Sequence, residues 1–143
     1  MREFGRIRID AEYRIRPGSY AVILDAERRV AVLRTPKGTF LPGGGAEPGE
    51  TPEATLAREV REECGRQVTI LRPLGRAIEY VDAGAEGCIA KHGTFFLAHM
   101  PDDVPPCGAG EEDHLLAWIP PRDAIRELDH GSQAWAVGQA VAG

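Results

Sequence analysis

The segment from Pro42 to Arg66 constrains this chain more than any other. It pairs a strong breaker, Pro42-Gly43-Gly44-Gly45, with a helix whose two ends are both written in the sequence. Thr51 can cap the helix, Pro52 suits its first position and Gly65 suits its end. Leu56, Ala57, Val60 and Cys64 recur at helical spacing and mark a buried face. A second stripe of Glu59, Glu62 and Glu63 runs beside it. At ~3.6 residues per turn these three carboxylates project to one side.

That stripe opposes helix stability. Like charges at i, i+4 cost roughly 0.2–0.5 kcal/mol per pair. Glu62 and Glu63 also fall in the last turn, where the helix dipole disfavours anions by about 0.3–1 kcal/mol. A bound cation would reverse the sign of the penalty. Magnesium is the natural candidate, because it is hard, takes oxygen ligands and bridges carboxylates to phosphates. Arg58 stands four residues before Glu62 and can orient a carboxylate. Glu50 adds a fourth acid before the helix, and the glycine loop allows backbone to approach a ligand closely.

The segment from Gly44 to Arg66 resembles the Nudix box. In that pattern a glycine is followed after five residues by Glu and after seven more by Arg-Glu-apolar-any-Glu-Glu-any-Gly-apolar. The matching positions are Gly44, Glu50, Arg58, Glu59, Val60, Glu62, Glu63 and Gly65. Arg66 departs from the pattern, standing where an apolar residue is usual.

The resemblance implies an α+β fold, the Nudix α/β/α sandwich with a mixed sheet. It also implies hydrolysis of a phosphoanhydride bond in a small nucleoside diphosphate derivative, with Mg²⁺ or Mn²⁺. The positions matching the family's metal ligands are Glu59 and Glu63, with Glu62 close behind and a loop carbonyl from Gly43 or Gly44. Glu62 and Arg58 are expected to serve catalysis. For the general base, Glu112, beside Glu111 in a polar loop, matches the place where some MutT-like members carry a further glutamate. Arg14, Arg16 and Glu50 are the expected substrate contacts, and Tyr80, Phe95 and Phe96 are read as core or as a base platform. A nucleoside triphosphate, oxidised or not, is favoured over a nucleotide sugar, ADP-ribose or a dinucleoside polyphosphate. A sensor of the same fold that binds without cutting is the alternative; it would be expected to have lost box acids, and this chain keeps them.

The remaining pattern fits one domain over 1–143. Tyr20–Asp25 and Val30–Arg34 read as a hairpin, and Phe40-Leu41 as a short apolar step. Val68–Leu71, Ala77–Val81, Thr94–His99 and Leu115–Ile119 read as further strands. Pro121–Leu128 and Gln133–Ala142 read as helices. The net charge of −5 does not favour long nucleic acids. No apolar run suggests a signal peptide or a membrane span. Cys64, Cys88 and Cys107 form no paired motif, which suits reduced thiols in the cytoplasm. His92, His99, His114 and His130 show no ligand spacing. A homodimer is left open.

Overall fold

The structure is a computed structural model that describes residues 1–102, 106–108 and 110–142. Eight strands and three α-helices follow the order β1 (Arg2–Gly5), β2 (Tyr13–Ile23), β3 (Val30–Thr35), β4 (Gly38–Phe40), β5 (Gly43–Gly45), α1 (Pro52–Cys64), β6 (Thr69–Asp82), β7 (Cys88–His99), β8 (Leu115–Ile119), α2 (Pro121–Glu127) and α3 (Gly131–Ala142). A five-stranded sheet has the order β1-β6-β7-β2-β5, and a three-stranded sheet the order β4-β3-β8. The larger sheet is mixed: β2 runs parallel to β7 and β1 parallel to β6, while β6–β7 and β2–β5 are antiparallel.

Successive side chains of a strand point to opposite faces, and β2 uses both. Ala21 and Ile23 pack with Leu56 and Val60 of α1, together with Phe96 and Ala98 of β7. Val22 packs the other way, with Val30, Val32, Leu41 and Phe95 and with Ala136, Val137 and Ala140 of α3. Two cores on opposite faces of β2 make the α/β/α sandwich.

Three local expectations change. The stretches around Tyr20–Asp25 and Val30–Arg34 are no hairpin: a single antiparallel bridge, Leu24 to Val30, joins them before they diverge into different sheets. The glycine run does not merely break the chain, because Gly43–Gly45 pairs with Gly18–Tyr20 as β5. The segments around 68–71 and 77–81 are one strand, β6, interrupted by register shifts at Ile70/Arg72 and Pro73/Gly75. No helix among the described residues is long and apolar enough to cross a membrane.

Candidate active site

Helix α1 is anchored at both ends. Ala54 N–H donates to Thr51 Oγ1 at 3.1 Å, and the hydroxyl of Ser19, from β2, donates to the Pro52 carbonyl at 2.8 Å. At the other end Gly65 takes a left-handed conformation, φ 64°, and its N–H donates to Arg61 O. The last carbonyls of a helix lack intrahelical partners. Here the loop before β8 supplies them: Cys107 N–H donates to Gly65 O at 2.7 Å and Glu111 N–H to Glu63 O at 3.2 Å. This docking carries Glu111 and His114 to the acidic stripe.

Arg58 organises the carboxylates. Its Nε and Nη2 donate to Glu50 at 2.7 and 2.9 Å, its Nη2 also to Gly45 O at 2.9 Å, and its Nη1 to Glu59 at 2.9 Å and Glu62 at 3.3 Å. Glu50 further accepts from Glu47 N–H and from the Thr55 hydroxyl. The Arg58 hydrogen bonds, then the Glu47 N–H, hold its carboxyl down to about 2.

Glu59 and Glu63 face a cavity of about 510 Å³, a size that suits a small ligand. The Glu63 side chain is only 11% exposed. Gly43 N–H donates to it at 2.8 Å, yet burial pushes its carboxyl up to about 8, with the neighbouring Glu59 and Glu111 adding to the effect. Burial also raises the Glu59 carboxyl. A Cβ on Gly44 would stand 2.5 Å from the Glu59 carboxyl carbon, so only glycine lets that carboxylate lie against β5.

His114 completes this end. Its Nε2 lies 3.3 Å from Glu111 Oε2 and its Nδ1 3.9 Å from Glu63 Oε2. The Nδ1 is buried and has no hydrogen-bond partner among the described residues. Ligand atoms of Glu111, Asp113 and His114 all lie within 4.8 Å of one another. Converging carboxylates that lack enough cations and a backbone shaped to admit one of them fit a hard divalent ion.

The same cavity lining is also rich in donors. Arg16 of β2 and Lys91 of β7 are register partners, and both line it with Lys37, Phe40, His130 and Gln133. Burial lowers the Lys91 ammonium pKa. Tyr20 forms part of the lining and stacks on the buried Phe95, ring centroids 5.6 Å apart; burial pushes its hydroxyl up to about 12.

Among the expected residues, Glu59, Glu63, Gly44 and Arg16 line this one cavity. Glu62 is exposed beside Arg58, and Glu50 turns toward Arg58 outside the cavity lining. Arg14 is exposed and lies outside the lining; Glu112 is exposed, with no side-chain partner among the described residues. Phe95 and Phe96 are core, 1% and 5% exposed, and Tyr80 bonds to Glu3 on the β1 edge. Sequence reasoning passed over His114, Lys91 and Gln133. Lys91 had a usable signal: Lys91-Gly93-Phe95 and Arg16-Gly18-Tyr20 are alternate positions of paired strands, so each triplet shares a face.

Comparison with known proteins agrees with this arrangement. The family model described as NUDIX domain matches residues 14–138. The chain is similar to the nucleoside triphosphatase NudI of Enterobacter sp. (strain 638), 34% identical over 96 residues, a match covering 62% of this chain and 65% of that one. It thus spans just under two thirds of that relative's length. Its fold is similar to that of a NUDIX hydrolase from Nitrosomonas europaea, with a TM-score of 0.71 at 21% identity over 91% of this chain and 90% of that one. It is also similar to that of the E. coli dihydroneopterin triphosphate pyrophosphohydrolase, with a TM-score of 0.68 at 18% identity over 86% and 92%. From the box on helix α1 to the two-sided sheet that carries it, and by the family match across most of its length, the chain belongs to the Nudix family.

Proposed function

We propose that this chain is a Mg²⁺- or Mn²⁺-dependent hydrolase that cuts a phosphoanhydride bond in a small nucleoside diphosphate derivative, a nucleoside triphosphate being favoured. One observation carries the reading: two poorly solvated carboxylates, Glu59 and Glu63, converge with the unpartnered Nδ1 of His114 at one end of an open cavity. The similarity to a nucleoside triphosphatase supports the substrate class.

Glu59 and Glu63 would hold the divalent ion, with Glu62 and the Gly44 backbone beside them. When bound, such an ion neutralises phosphate charge and acidifies water. The protein's own residues supply placement. Arg58 fixes Glu59 and Glu62, and Gly43 N–H fixes Glu63, so the acids keep their spacing without substrate. Arg16 and Lys91, in the same lining, hold anionic or acceptor groups of the substrate. His114 takes the proton of the attacking water, its Nε2 lying 3.3 Å from Glu111 Oε2. On this reading proton transfer falls to His114, and Glu112 in the same loop is the competing candidate.

The test is release of phosphate or pyrophosphate from a nucleotide panel with Mg²⁺, repeated with Glu63→Gln, His114→Asn and Glu112→Gln. Turnover lost in Glu63→Gln and His114→Asn, and kept in Glu112→Gln, is expected. Loss in Glu112→Gln alone of the last two would move the proton acceptor to Glu112. Tight nucleotide binding with no turnover under any divalent ion would make the chain a sensor.

A further inference from the structure

The part of the cavity lining formed by Gln133 has a fixed hydrogen-bonding sense. Gln133 is 2% exposed and lines the cavity. Leu41 N–H donates to its Oε1 at 2.7 Å. A backbone N–H can only donate, so the amide oxygen must face Leu41 and the amide nitrogen must face away. That nitrogen makes no hydrogen bond among the described residues.

The position of this group is rigid. The turn between α2 and α3 is clamped to β4, because Asp129 accepts from Thr39 N–H at 2.6 Å and Asp129 N–H donates to Thr39 O at 3.1 Å. Ser132 N–H donates to Glu79 at 2.9 Å, which turns that buried carboxylate toward the start of α3. Glu79 is absent from the lining of the large cavity, although it shares a small niche with Lys91, His130 and Gln133. Lys91 Nζ faces His130 Nε2 at 3.5 Å and has no carboxylate within ion-pairing distance among the described residues. Burial and the nearby Lys91 charge keep His130 below its ordinary value. Lys91, which also lines the cavity, carries only donors.

The surroundings suit a flat ring. Phe40 lies against His130, centroids 5.2 Å apart, and Leu33 and Leu41 add apolar wall. A heterocycle would bury its faces against these apolar and aromatic side chains and present its edge to the donors.

We infer that Gln133 and Lys91 read the edge of a nucleobase and select bases presenting a ring carbonyl there, of the uracil, thymine, hypoxanthine or guanine type, over bases presenting an amino group. An amino group would set donor against donor and leave the Gln133 amide nitrogen without an acceptor from the ligand. The inference rests on the reading of the cavity as a nucleotide site, but it does not require turnover.

The experiment separates the two. Calorimetry with Mg²⁺ would compare uridine with cytidine 5′-monophosphate, and inosine with adenosine 5′-monophosphate. Within each pair one exocyclic group changes from carbonyl to amino, together with the protonation of the adjacent ring nitrogen, and none of the four has an anhydride to cut. Tighter binding of the carbonyl member by roughly ten- to hundredfold is expected in both pairs. In Gln133→Glu the Leu41 N–H keeps its acceptor while the outward atom becomes an oxygen. Its uridine-to-cytidine affinity ratio is expected to fall at least about tenfold. Equal affinities in the native protein, no binding of any of the four, or an unmoved ratio in a folded Gln133→Glu would overturn the inference. Discrimination without hydrolysis of any triphosphate would sink the proposed activity and leave the base selection standing. Hydrolysis of triphosphates without discrimination would do the reverse.

Discussion

Arg58 grips Glu50 through two nitrogens, at 2.7 and 2.9 Å, and reaches Glu59 with the third, at 2.9 Å. One guanidinium thus ties the residue before the helix to a carboxylate on the cavity wall. A lysine cannot reproduce that fork. Arg58→Lys is expected to cut kcat by about 10²-fold through misplaced carboxylates, with a circular dichroism spectrum like that of the native protein. Native-like kcat in this variant would mean that Glu59 is held by other contacts.

Gly44→Ala tests the approach of β5 to the helix. The added methyl would meet the Glu59 carboxyl, 2.5 Å from its carbon. Metal affinity is expected to fall by about 10–100-fold, as when a supporting contact to a ligand is lost. Isothermal titration with Mn²⁺ reads this, and an unchanged affinity would show that Glu59 takes no part in metal binding.

Metal binding should also stabilise the fold, because the cation binds only the assembled acids. At one hundred times its Kd, Mg²⁺ is expected to add about 2.7 kcal/mol. For this chain length that raises Tm by several degrees, and a chelator should reverse it. The rise should be absent in the Glu59→Gln, Glu63→Gln double variant. A rise of equal size there would place the stabilising ion elsewhere.

The acids make opposite contributions to metal-free stability as pH changes. Glu63 has its folded pKa raised from 4.5 to about 8, by burial first. Between these values the unfolded chain has lost this proton and the folded chain keeps it. The stability tied to it is therefore present below pH 4.5 and lost as pH rises through about 8. Glu50 is held down at about 2, by Arg58 first. Its contribution is present above pH 4.5 and lost as pH falls toward 2. Urea midpoints across pH should show a flatter neutral limb for Glu63→Gln and a flatter acid limb for Glu50→Gln. Parallel profiles for native and variant proteins would refute the assignments.

Helix α1 could be read from the sequence because its signals are local: Thr51 and Pro52 start it, Gly65 stops it, and Leu56 and Val60 mark its face. Strand β5 could not, since three glycines carry no strand signature and owe their conformation to the pairing with β2. The supposed hairpin failed for a related reason. Tyr20–Asp25 and Val30–Arg34 have the right composition and a short link, but β2 finds its long partner in β7, far along the chain. Within the site, the acids were legible from spacing on one helix. His114 was not, because backbone bonds from Cys107 and Glu111 to Gly65 and Glu63 bring it there. Gln133 was equally hidden, because its meaning depends on the Leu41 N–H that it satisfies.

Strand β2 works with strict parity. Its odd positions 21 and 23 serve the layer under α1, while its even positions 16, 20 and 22 serve the cavity and the layer under α3. Deleting a single residue between Arg16 and Tyr20 would shift one end of the strand by one position against the other, turning either Arg16 or Tyr20 away from the cavity. Length changes should therefore be tolerated in the turn at 83–87, where chain can be added without altering the phase of any strand, and should abolish folding within β2.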